Sequence, residues 1–220
     1  MELNLINELK GELDGILKLS DETKTNLLNV FTSWYSCKSK HSYITNINNS
    51  KINLNKQINI DGILSNYLSE ETELNKITLF IEDCNNLEIN ISEKFNHLIL
   101  LNCNNININI ESGIISGIDI LHSEYININV QFNKIYTINY QNSRFCIINF
   151  IDIFSSDNQE INNCKIITYC CYDIVFNITN NLIYKHFKTN MSLFSGMIYF
   201  IIKNNFDIDY IDRNGTGQLC

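Results

Sequence analysis

The spacing of apolar residues changes once along this chain. Over residues 2–36 they fall at helical intervals, with Leu5, Leu9, Leu13, Ile16 and Leu17 marking one face. Ser20, followed by Asp21 and Glu22, is an N-cap for a second helix from Asp21 to about Tyr35. Leu27, Leu28, Phe31, Trp34 and Tyr35 form its apolar stripe. Gly11 and Gly15 weaken the first helix. The pattern predicts a helical hairpin over residues 1–40. From Ser42 the period becomes two: Ile52, Leu54, Ile58 and Ile60 alternate with polar residues, and strand patterns continue to about Lys203.

The alternating stretch repeats. Ile81–Ile91 (IEDCNNLEINI) matches Leu100–Ile110 (LLNCNNININI) nineteen residues on. Ile120–Val130 and Tyr140–Phe150 follow at steps of twenty, and Thr168–Ile178 is a more distant fifth copy. Each copy holds an apolar strand, a small or polar corner and a second alternating strand. Segments such as Asn96–Ile99 and Ile135–Ile138 read as a third short strand between copies. About twenty residues per turn with two or three strands predicts an all-β fold, a right-handed parallel β-helix over residues 41–203, with a tail at 204–220. Ile89, Ile91, Ile106, Ile108, Ile110, Ile126, Ile128 and Val130 are expected inside, and the intervening Asn residues outside. Open coils expose strand edges, so the helices and the Phe194–Lys203 segment are the expected caps. Met197–Ile202 is apolar on both faces, which predicts pairing with a second copy or another cover, with Met197, Tyr199 and Ile201 as the dimer strand.

Composition narrows the function. The chain has no Pro and no Ala, and Asn and Ile dominate. That usage fits an AT-rich genome, such as those of some protists or large DNA viruses, and it makes Asn partly a filler. A net charge of −8 without a basic stripe argues against nucleic acid. No apolar run reaches the roughly 18 residues of a membrane span, and the N-terminus lacks a basic signal region. A cytoplasmic chain is expected. Eight Cys show no Cys-x-x-Cys pair, so reduced thiols and neither metal nor cofactor are expected. Asp152, Asp157 and Asp173 do not occupy matching coil positions, and no Gly-rich phosphate loop is present. Nothing in the pattern points to catalysis.

The order of elements resembles the superfamily of cyclase-associated proteins and tubulin cofactor C. The link Ser92-Glu93-Lys94-Phe95 leads into Asn96–Cys103, similar to the family's link and its Asn-Cys corner. Gly117–Ser123 resembles the next corner. Ile135–Asn139 stands where the family has a strand entered through Pro. Ile166–Ile178 resembles a late coil, with His186-Phe187-Lys188 near the family's approach to its last strands. The resemblance spans roughly residues 75–203. The cofactor C branch activates a GTPase through an Arg on a solenoid strand. This chain offers Arg144 and Arg213, with no Gln-x-Arg pattern around Arg144. The resemblance therefore implies the actin-binding branch: promotion of nucleotide exchange on ADP-actin, and pairing of the last strand across a homodimer. Leu5–Gly11 followed by Leu17-Lys18-Leu19 is faintly similar to a short actin-binding helix motif.

Parallel strands stacked in register place Glu88, Asn107 and Asn127 in one outer column and Asn90, Asn109 and Asn129 in the next. These columns are the expected partner-binding face. Lys94 and Glu124, with Glu82, Asp83 and Glu111, would steer the partner. Two competing readings are a structural or host-interaction solenoid without actin activity, and a cofactor C-like GTPase activator acting through Arg144.

Overall fold

The computed structural model describes residues 7, 10, 11, 13–15, 19–35, 41–64, 73–131, 135–151, 164–179, 184–189, 197–202 and 208–212. The helix expected after Ser20 is present as α1, Asp21–Tyr35, with acidic residues in its first turn. The Ser20 hydroxyl accepts the Thr23 N–H at 3.2 Å, satisfying one donor that the helix cannot satisfy itself. Leu27, Val30, Phe31 and Trp34 are buried, and α1 packs against the first strand. Of the other half of the hairpin, residues 7, 10, 11, 13 and 14 are helical and Leu13 is buried. The remainder of that segment lies outside the described residues.

Seventeen strands follow among the described residues. They are β1 (His41–Thr45), β2 (Asn48–Leu54), β3 (Ile58–Ile60), β4 (Ile63–Leu64), β5 (Thr78–Glu82), β6 (Asn85–Ile91), β7 (Phe95–Leu101), β8 (Asn104–Ile110) and β9 (Ile114–Leu121). Then come β10 (Glu124–Gln131), β11 (Thr137–Gln141), β12 (Arg144–Ile151), β13 (Cys164–Tyr169), β14 (Tyr172–Thr179), β15 (Tyr184–Thr189), β16 (Met197–Ile202) and β17 (Ile208–Asp212). From β5 to β14 successive strands alternate between two sheets, one ordered β1-β5-β7-β9-β11-β13-β16-β17 and the other β15-β14-β12-β10-β8-β6-β2-β3-β4. Pairing from β5 to β14 is parallel within each sheet. Asn85 pairs with Asn104, Asn104 with Glu124, and Glu124 with Arg144. These paired positions lie nineteen, twenty and twenty residues apart.

Among the described residues, two strands make each turn of the chain from β5 to β14. Asn96–Ile99 belongs to β7, continuous with Leu100 and Leu101, and the equivalent β11 starts at Thr137 after a single bridge at Ile135. The ladder shifts register between Phe95 and His97, but the strand runs on to Leu101.

Between the sheets lies the core. All eight residues expected inside are buried, from Ile89 at 0% exposure to Ile110 at 4%. Ile52, Ile89, Ile108, Ile128, Ile148 and Phe176 stack as one column through six consecutive strands. A column of this kind buries branched side chains against their equivalents above and below, the packing that gives a regular sheet its stability.

The ends depart from the parallel pattern. β3 folds back antiparallel on β2 and β4 antiparallel on β3, and β15 lies antiparallel on β14. β16 pairs antiparallel with β13 on one side and with β17 on the other. The expected dimer strand of Met197, Tyr199 and Ile201 is therefore not an edge: both of its ladders are filled within the chain. Among the described residues this end of the sheet is β17, which lies in the segment expected to be a tail. The boundary expected at residue 203 moves accordingly, because the sheet runs on to Asp212.

Candidate partner-binding face

Each corner between the sheets is built the same way. A residue in the left-handed region, Asp83, Asn102, His122, Asn142 or Cys170, precedes a small buried residue, Cys84, Cys103, Ser123, Ser143 or Cys171. Two positions later comes a second left-handed residue: Asn86, Asn105, Tyr125, Phe145 or Asp173. The small residue bonds backward to carbonyls, as in Ser123 Oγ to Leu121 O at 2.8 Å, and accepts an N–H from the preceding coil, as in Cys103 N to Ser123 Oγ at 3.0 Å. Asn tolerates positive φ far better than most residues. Several of the Asn residues are thus conformational choices and not filler.

The two expected columns form, and they differ. Asn53, Asn90, Asn109, Asn129, Asn149 and Asn177 are half-buried and join in one amide ladder. From Asn90 onward each Nδ2 donates to the Oδ1 of the coil before, at 2.9, 2.9, 2.8, 2.8 and 2.7 Å. Asn90, Asn109 and Asn129 therefore spend their amides on tying coils together. The neighbouring column, Lys51, Glu88, Asn107 and Asn127, is more open. Lys51 pairs with Glu88 at 2.5 Å and holds its carboxyl below the usual range, while Asn107 is exposed and accepts from Asn127 at 3.2 Å. Lys94 is exposed, but it sits in the β6–β7 link, at the opposite end of the strands from Glu124. The structure does not bring those two together.

Glu124 opens β10 and meets Arg144, which opens β12, at 2.6 Å. The pairing raises the Arg144 pKa further and occupies its guanidinium, which also lies 5.8 Å from the Phe145 ring centre. An Arg engaged this way is a corner ion pair, and the geometry gives no support to a GTPase-activating role.

The sequence reading missed the aromatic cluster beside it. Tyr125 and Phe145 stack with ring centres 5.0 Å apart and planes 16° apart, and Tyr172 meets Phe145 edge-on at 5.6 Å. Tyr125 is 52% exposed and Tyr172 42%. Tyr125 and Phe145 both have φ of 54°, at the positions where earlier copies carry Asn86 and Asn105. Holding a bulky residue there costs on the order of 1–3 kcal/mol. An aromatic pair returns only about 0.5–1.5 kcal/mol. Aligning the copies shows the Asn-to-aromatic change, so the signal was present in the sequence.

On the opposite sheet, His97 Nε2 lies 2.9 Å from Asp119 Oδ2, and Asn139 donates to Asp119 Oδ1 at 2.6 Å. Burial pushes the Asp119 carboxyl up, but the hydrogen bonds from His97 and Asn139 outweigh it and hold the group below its ordinary value. The thiols behave as core. Burial pushes Cys146 and Cys164 up to about 12 and Cys171 up to about 11. The Cys103 thiol and burial together push Cys84 up. Among the described residues, no three His, Cys, Asp or Glu side chains come together to hold a metal. No described helix is long and apolar enough to cross a membrane.

Two stacked parallel sheets, this corner chemistry and the polar outer columns can be set beside known families. The family model for the C-terminal domain of adenylate cyclase-associated proteins matches residues 45–188, about two thirds of the chain. The chain belongs to this family. Cyclase-associated protein C-terminal domains in general bind actin. The crystal structure of a cyclase-associated protein from Cryptosporidium parvum superimposes with a TM-score of 0.53 at 13% identity, covering 80% of this chain and 92% of that one. At that identity the likeness is one of fold. No curated protein matches the chain by sequence.

Proposed function

We propose that this chain is a cytoplasmic actin-binding module that engages an actin monomer through the outer face of the β2–β14 sheet and promotes its nucleotide exchange, without chemistry of its own. The observation that carries this reading is the family match over residues 45–188. The face supports it physically. Glu88, Asn107 and Asn127 form a flat, open polar column beside an amide ladder that keeps the strands rigid. Short polar side chains on a rigid sheet lose little entropy when a partner covers them. We read the winding as right-handed, the sense that parallel crossovers adopt. A homodimer would pair through β17, the last strand of its sheet among the described residues.

The test is sedimentation or anisotropy with ADP-actin. Wild type is expected to bind and to speed release of a fluorescent nucleotide. The pair Glu88→Lys and Asn107→Lys places two positive charges on the column without entering the core or the ladder, and is expected to weaken binding at least tenfold. Absence of wild-type binding would overturn the actin reading. Undiminished binding by the double variant would exclude this column as the contact.

A further inference from the structure

We infer that the aromatic corner of Tyr125, Phe145 and Tyr172 is the anchor by which an actin monomer is held, more than the asparagine columns beside it. This rests on the actin reading above and locates its contact. Three observations point to it. First, Tyr125 and Phe145 sit at φ of 54°, a conformation that Asn86 and Asn105 adopt at the equivalent corners with far less strain. Second, burial repays the strained rings only in part: Phe145 is half-buried, but Tyr125 remains 52% exposed, and Tyr172 beside them is 42% exposed. Third, the cluster is ordered before any partner arrives. Tyr125 and Phe145 stack at 5.0 Å, Tyr172 braces Phe145 edge-on, and Arg144 lies over Phe145 while paired with Glu124 at 2.6 Å.

In the free chain the ring contacts return only part of the strain, and a partner that covers the exposed rings returns more. The composition is that of an interface anchor, where Tyr and Arg are enriched and energy concentrates in few residues. The Glu124–Arg144 pair presents both signs of charge at the rim, so a partner surface bearing either can be met there. The corner is continuous with the proposed contact. Ile147, exposed, stands next to Asn127 in the column that runs from Glu88 through Asn107. The asparagine ladder has spent much of its hydrogen-bonding capacity on itself and serves as the rigid mount.

The experiment restores the residue that the earlier coils use. Tyr125→Asn and Phe145→Asn, singly and together in the full chain, remove ring surface while relieving the strained backbone. Expected is a loss of ADP-actin affinity of at least tenfold for each, with the urea unfolding midpoint unmoved or raised. If wild type binds actin and both variants bind equally well, the corner is not the anchor, and the actin reading survives. If affinity falls only in step with a lowered midpoint, the rings are structural and the inference is overturned. If wild type does not bind, the actin reading fails and the inference with it.

Discussion

Asparagine has three separate uses here, and mutation should separate them. In the ladder, Asn109 donates to Asn90 at 2.9 Å and accepts from Asn129 at 2.8 Å in a half-buried position. Asn109→Ala leaves both neighbours short of a partner and is expected to cost about 1–2 kcal/mol. Asn107→Ala, one column over and exposed, should stay within about 0.5 kcal/mol. Urea unfolding of the two variants checks the difference, and equal losses would mean the ladder contributes nothing special. At the corners, Asn102 and Asn105 serve by adopting positive φ. Asp119 is a residue-scale case with a pH signature. Its folded pKa is depressed, so its contribution is fully present above the unfolded value of about 4 and is lost as pH falls through the folded value. Asp119→Asn is expected to lower stability at pH 7 and to flatten part of the acid limb. A midpoint-versus-pH series that runs parallel to wild type below pH 4 would refute that.

At the scale of elements, the corner decides the length of each strand. Two left-handed residues flanking one small buried residue turn the chain from one sheet to the other, and the strand between corners takes what remains of the twenty residues. The tightest point in β9 is Gly117, with φ of 124°. It pairs with His97, after a register shift between Phe95 and His97. A Cβ there would collide with the Thr137 carbonyl of the neighbouring strand. Gly117→Ala therefore has to push β11 away or distort β9, and an expected loss of more than about 2 kcal/mol follows from strain and clash together. Thermal denaturation checks it. A variant melting within a degree or two of wild type would show that β11 yields freely.

In the whole molecule each turn of chain touches mainly its neighbours, so stability is carried along a line and the ends matter. The N-terminal end is closed by α1. Trp34 is fully buried and its ring lies 6.0 Å from that of Phe95. Trp34→Ala is expected to cost about 3–5 kcal/mol by opening a cavity under the cap. In a stacked array that loss should appear first as local opening near β1. Hydrogen exchange that rises in β1 and β5 while β12 and β14 stay protected would meet the expectation. Uniform acceleration through all strands would instead mean that the array unfolds as one unit.

The repeat, the inward face and the capped helix could be read from the residues. The side-chain period of a strand is two, and the chain keeps it for copy after copy, so Ile106, Ile108 and Ile110 could face only one way. Ser20 likewise marked the start of α1 because a helix cap is a local matter. What the sequence did not decide depends on neighbours far along the chain. Whether Asn109 faces water or an identical amide is set by register with Asn90 and Asn129, each some twenty residues away. Whether Met197–Ile202 is an edge depends on where Ile208–Asp212 comes to rest. The anchor proposed at Tyr125, Phe145 and Tyr172 exists only because parallel stacking brings successive corners to within ring contact, a distance that no local pattern carries.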